Sequence, residues 1–114
     1  MPQQDDVLII EPETVTTDKP IFKVMNDEEL EKPYRVIIQN DDVTPMEVVT
    51  WVLQKCFELN IVRAYAIMLE AHYKGRALVT ILPFKEANER VFNAQSRARE
   101  LGFPLVLYLE PDEG

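Results

Sequence analysis

A single cysteine, Cys56, and a single histidine, His72, are all that this 114-residue chain offers of the side chains that most often hold transition metals. One cysteine excludes an intrachain disulfide and a cysteine-built metal site, which fits a reducing compartment. Glycine is scarce too, with three in all, and neither a glycine-rich phosphate loop nor a nucleophile elbow is present. Basic charge is short as well: 12 Lys and Arg against 20 Asp and Glu leave a formal charge of −8 and a pI near 4.6. A nucleic-acid binder needs a basic face to neutralise phosphates, so the expected partners are neutral or cationic. No apolar run reaches the roughly 18 residues of a membrane span, and the N-terminus lacks the basic and apolar regions of a signal peptide. These absences point to a cytoplasmic protein that acts on neither nucleic acid nor membrane.

What is present suffices for one core. Hydrophobic residues make up 46% of the chain, enough at this length for one domain and not for two. The charge is uneven. Residues 1–33 hold nine acids against Lys19, Lys23 and Lys32, a balance of 3 − 9 = −6, so the rest of the chain carries −2. That first segment also contains Pro2, Pro12, Pro20 and Pro33 and shows no sustained period. It is expected to be a flexible acidic extension, too polar to bury the surface that would offset its ordering entropy. Two apolar patches, "VLII" at 7–10 and "IFKVM" at 21–25, interrupt it.

From residue 34 the pattern predicts folded structure. "YRVIIQ" (34–39) reads as a strand, rich in β-branched residues and bounded by Pro33 and by Asn40, Asp41 and Asp42. Thr44, Pro45 and Glu47 match an N-cap, a first-turn proline and the glutamate of a capping box, opening a helix expected to run to about Leu59. Val49, Val52, Leu53, Cys56 and Phe57 form its buried stripe at spacings of three and four, with Cys56 and Trp51 read as packing residues. A second helix follows Asn60 as N-cap and stops before Gly75, with Ala64, Ile67, Met68 and Ala71 on its apolar face. "ALVTIL" (77–82) is a strand broken by Pro83, a third helix carries Ala87, Val91, Ala94, Ala98 and Leu101 up to Gly102, and "PLVLYL" (104–109) is the last strand. The order β-α-α-β-α-β is an α+β arrangement with helices layered on a small sheet.

Three adjacent amide and carboxylate side chains at a strand-to-helix junction are ordinary turn formers, because Asn and Asp hydrogen-bond to their own backbone. His72 changes that reading. It lies four residues after Met68 and projects from nearly the same helix face. If the second helix packs beside the first, His72 meets the Asn40–Asp42 loop, and two carboxylates, an amide and an imidazole surround one small space. Asp41, Asp42 and His72 could be metal donors, at a spacing that is not diagnostic. A hydrolase would need an oriented nucleophile, and Thr44 is assigned to a cap. A cation-binding pocket with apolar walls remains, and with it a non-enzymatic role.

"NDDVTPMEVV" (40–49), "IMLEAHYKGRA" (67–77) and "GFPL" (102–105) resemble, in order and spacing, the signature segments of the ClpS family of adaptor proteins, over about residues 34–110. The resemblance implies helices packed on a three-stranded antiparallel sheet. It further implies an adaptor, not an enzyme, that needs no cofactor or metal. Such an adaptor binds proteins with N-terminal Leu, Phe, Tyr or Trp and delivers them to a Clp-type AAA+ unfoldase, of the ClpA or ClpC class, and its protease. On this resemblance the α-amino group is bound by Asn40, Asp42 and His72, with Asp41 as a neighbouring support. The side-chain pocket falls on Ile38, Thr44, Met46, Val49, Met68, Ala71 and Leu105, with Met46 as gatekeeper and Ala71 widening one wall. In the family the N-terminal extension engages the unfoldase. Two positions depart from the pattern: "LPFKEANERV" (82–91) puts Pro83 and Lys85 where the family often has a Thr-x-Glu lead, at a segment similar to its unfoldase-docking surface, and Gln39 is polar where an apolar residue is common.

Overall fold

The computed structural model of the protein describes residues 7–11 and 21–113. In chain order these form β1 (Val7–Glu11), β2 (Ile21–Met25), α1 (Asp27–Leu30), β3 (Pro33–Gln39), α2 (Met46–Phe57), α3 (Ile61–Lys74), β4 (Arg76–Pro83), α4 (Phe84–Glu100) and β5 (Val106–Pro111). The larger sheet is antiparallel in the order β4-β3-β5, with α2, α3 and α4 supplying the layer that covers it. This is the α+β arrangement that the hydrophobic periods predict. β3 lies at the centre because it is the most continuously apolar strand: Val36, Ile37 and Ile38 are all buried, and only a strand paired on both edges keeps its backbone satisfied there. A register shift between Val36 and Ile37 bends its pairing with β4.

The core joins Val36 and Ile38 of β3 to Val79, Leu105 and Leu107 and to the inner faces of all three long helices. α4 contributes mainly small side chains: Ala87, Ala94 and Ala98 are fully buried, as is Val91. Their size lets the helix approach the sheet closely. Gln95 projects into that contact, and its Oε1 accepts from the Leu107 backbone N–H at 2.9 Å, so its burial leaves that donor paired.

Helix limits follow local chemistry at α3. The Asn60 side chain accepts from the Arg63 N–H at 2.8 Å. At the other end Gly75, with φ +94°, donates its N–H to the Ala71 carbonyl at 2.8 Å. A side chain at that φ would be strained, which is why glycine stands there. α2 departs from expectation at both ends. It stops at Phe57 because Glu58 adopts a left-handed conformation (φ 56°), turning the chain in the three residues before α3 begins. Its N-cap is Pro45, with no side-chain cap. Thr44 donates its hydroxyl to Asp41 Oδ2 at 2.9 Å instead, so the expected capping box with Glu47 does not form. β5 starts at Val106, two residues later than the apolar run suggests.

The first 33 residues also carry local order. β1 and β2 pair antiparallel. Asn26 and Glu29 form a capping box that starts α1, where the sequence was read as having no period. Met25 and Leu30 are buried against Phe84, with Tyr34 edge-on to Phe84 at 4.8 Å between ring centroids. These contacts place the short arm against the start of α4. The flexibility expected of residues 1–6 and 12–20 lies outside the described residues.

Candidate functional site

The loop after β3 is held from two sides. The backbone N–H of Asn40 donates to the Gly75 carbonyl at 2.9 Å, which ties the loop to the end of α3 one turn beyond His72. Within the loop, Asp41 Oδ1 accepts from the N–H groups of Val43, at 2.8 Å, and Thr44, at 2.6 Å. With the Thr44 hydroxyl on Oδ2, both oxygens of Asp41 are committed. Asp41 therefore acts as the internal brace of the turn, which is the ordinary role of Asx residues.

Its neighbours are placed differently. Among the described residues, the carboxylate of Asp42 and the ring nitrogens of His72 have no hydrogen-bond or ion-pair partner. Both side chains are exposed, and both border one cavity of about 250 Å³. Asn40, Asp41 and Thr44 line its polar side, and Met46, Val49 and Met68 its apolar side. Eight of the eleven residues singled out from sequence thus share this cavity. Val43 and Pro45 line it too and were not expected. Their signal was available, since both sit inside a loop whose other members were already assigned.

Ile38, Ala71 and Leu105 do not line the cavity. Each is buried in the main core. Ala71, expected to widen one wall, is packed at 4% exposure. Alternation along β3 turns Ile38 toward the helices, and Ala71 lies three residues after Met68 on the inward side of α3.

The arrangement fixes what the site can do chemically. Charge-assisted acceptors stand at one end and thioether and aliphatic groups at the other, within a space suited to a small amphipathic cation. Asp41, Asp42 and His72 do not converge as metal donors: among the described residues no three His, Cys, Asp or Glu side chains form such a set. Elsewhere the one thiol is inert in outlook. Burial pushes the Cys56 thiol above its ordinary range, with Arg97 and Arg90 opposing more weakly. No helix among the described residues is long and apolar enough to cross a membrane.

Comparison with known proteins places the chain. The family model described as "ATP-dependent Clp protease adaptor protein ClpS" matches residues 29–108. The ATP-dependent Clp protease adapter protein ClpS of Erwinia tasmaniensis is 44% identical over 85 residues, which is 73% of this chain and 80% of that protein. The solved structure of Agrobacterium tumefaciens ClpS2 bound to L-phenylalaninamide is similar with a TM-score of 0.70 and 35% identity, over 72% of this chain and 99% of that one. A match of this extent to the family model, together with the same three-stranded sheet and helix order, shows that the chain belongs to the ClpS family of Clp protease adaptors.

Proposed function

We propose that this adaptor binds the free α-amino group and bulky hydrophobic first residue of substrate proteins and hands them to a Clp-type AAA+ unfoldase, of the ClpA or ClpC class, and its protease. The observation that carries this reading is the pair of unpartnered acceptors, Asp42 and His72, facing the apolar wall of Met46, Val49 and Met68 in one cavity. An ammonium brings three donors and a charge, whereas an internal peptide brings one neutral N–H. Carboxylate, amide and imidazole acceptors therefore favour a chain end. The Asn40 side chain completes the acceptor set, Asp41 holds the loop in shape, and Thr44 packs beside it. Ile38, Ala71 and Leu105, buried in the main core, are assigned to the deep end of the side-chain pocket. The Agrobacterium relative was solved with L-phenylalaninamide, a ligand with a free amine and an aromatic side chain, which supports the same chemistry here.

The role proposed is binding and transfer without a catalytic step. A peptide with a free Leu, Phe, Tyr or Trp end should bind, and its N-acetylated twin should bind at least tenfold more weakly, since one charge-assisted bond is worth about 1.5–3 kcal/mol. Fluorescence anisotropy with both labelled peptides is the test; equal affinities would remove end recognition. Delivery is tested separately by deleting residues 1–24, a cut that spares Met25 and Leu30 and their packing on Phe84. Peptide affinity should be unchanged while degradation of a substrate by the unfoldase and protease slows; a full degradation rate would exclude this segment from the handover.

A further inference from the structure

Met46 and Met68 border two cavities. On one side is the amine site; on the other, α2 and α3 enclose a groove of about 430 Å³ lined by Trp51, Gln54, Ile61 and Tyr65. Trp51, Ile61 and Tyr65 are exposed, by 37%, 55% and 51%, so three large apolar side chains from two helices line one open groove. The guanidinium carbon of Arg97 lies 5.9 Å from the Trp51 ring centroid, within cation–π range. Thr50 Oγ1 donates to the Met46 carbonyl at 3.0 Å, so the hydroxyl in the groove is occupied. Gln54 supplies a half-buried amide that a passing backbone could use.

We propose that this groove receives the second or third side chain of the substrate chain whose first residue occupies the amine site, and that it selects bulky apolar or aromatic residues there. The inference rests on the end-recognition reading above. Continuity argues for this occupant: the two cavities share the walls Met46 and Met68, and an extended chain advances roughly 3.3 Å per residue, so one or two residues cross a single side-chain width. Charge argues against a second copy of this chain, since Glu47 lines the groove and each copy carries −8. An α-amino ligand with its carboxyl end free to extend, such as an amide, is the kind that can continue into the groove.

The test compares L-phenylalaninamide with three free-amine peptides, Phe-Ala-Ala-Ala, Phe-Leu-Ala-Ala and Phe-Ala-Leu-Ala, on the intact protein and on the double variant Trp51→Ser/Tyr65→Ser, by calorimetry. One of the leucine peptides should bind the intact protein about tenfold tighter than the alanine peptide, the yield of burying one such side chain. The double variant should lose that advantage and bind L-phenylalaninamide as the intact protein does, a readout that also shows it folded. If L-phenylalaninamide binds both proteins and no leucine advantage is seen, or the advantage survives in the variant, the groove proposal is overturned and end recognition stands. If L-phenylalaninamide binds neither protein, the end-recognition reading falls and the groove proposal with it. Self-association of the intact protein in sedimentation, abolished in the double variant, would identify the groove as a contact between copies and overturn the proposal.

Discussion

Two acidic clusters stand at the two ends of α2, and they have opposite fates. At its C-terminal end Glu58 and Glu86 both pair with Arg90, at 2.9 Å each, while Arg90 also donates to the Cys56 carbonyl at 3.0 Å. Every member there has an internal partner, and one arginine fastens α4 to the last turn of α2. At the N-terminal end only Asp41 is consumed by the fold; Asp42 is left facing a cavity beside His72. Acidic residues near a helix N-terminus are favourable for electrostatic reasons alone, so the location of Asp42 is unremarkable. The difference is satisfaction: a carboxylate without a partner beside apolar walls is available to a ligand, and a paired one is a structural clasp.

The comparison is broken most directly by removing the free carboxylate. Asp42→Ala should weaken binding of a free-amine peptide by about ten- to a hundredfold, from the loss of a bond worth about 1.5–3 kcal/mol, with the thermal midpoint nearly unmoved. A parallel fall in stability would show that Asp42 belongs to the fold. Raising the pH should act through the ligand in the same direction. A free chain end has a pKa near 7.7–8, and the bound amine holds its proton more tightly, so affinity should fall roughly tenfold per unit as the pH rises above that range. Titrations at pH 7, 8 and 9.5 decide this, and a flat profile would exclude the amine charge.

At the other end of the helix the pattern should invert. Arg90→Ala should lower stability by about 1–3 kcal/mol, because a carbonyl and two carboxylates lose their donor, while peptide affinity stays within twofold of the intact protein's. Arg90 is partly exposed, which keeps the expected loss toward the low side. Chemical denaturation and anisotropy on the same preparation separate the two effects. Asp41→Ala should fall between the extremes, lowering both stability and affinity, since it releases two backbone donors and the Thr44 hydroxyl. The smallest effect concerns Cys56: burial disfavours its thiolate, so labelling by a thiol reagent at pH 8 should be slow in the folded protein and fast in denaturant. Rapid labelling of the native state would mean that the clasp opens readily.

Legibility from sequence followed the range of the interactions. α3 was readable to the residue at both ends, because Asn60 and Gly75 act on their own backbone within one turn. The N-terminus of α2 was misread because Thr44 had two local options, donation to Asp41 or capping of the helix, and the choice between them depends on how Asp41 is held. The arm from Met25 to Leu30 was missed because its order comes from Phe84, a contact distant in sequence. The clasp at Arg90 was missed because its bonds to Glu58 and to the Cys56 carbonyl join residues distant in sequence, and the exposed Trp51 was read as a packing residue until its neighbours were known.

The sequence by itself determined the type and order of the elements from residue 34 onward, the α+β class and the polar character of the loop, since these depend on periodicity and composition. Tertiary structure alone decided that the loop and His72 share a cavity. The bond from Asn40 to Gly75 draws the end of α3 against the end of β3, and the pairing of β3 with β4 fixes the register in which that happens. It also decided that Ile38, Ala71 and Leu105 are buried in the main core and do not line that cavity. Helical spacing says that a residue faces inward, but how many layers separate it from solvent depends on what the rest of the chain places above it.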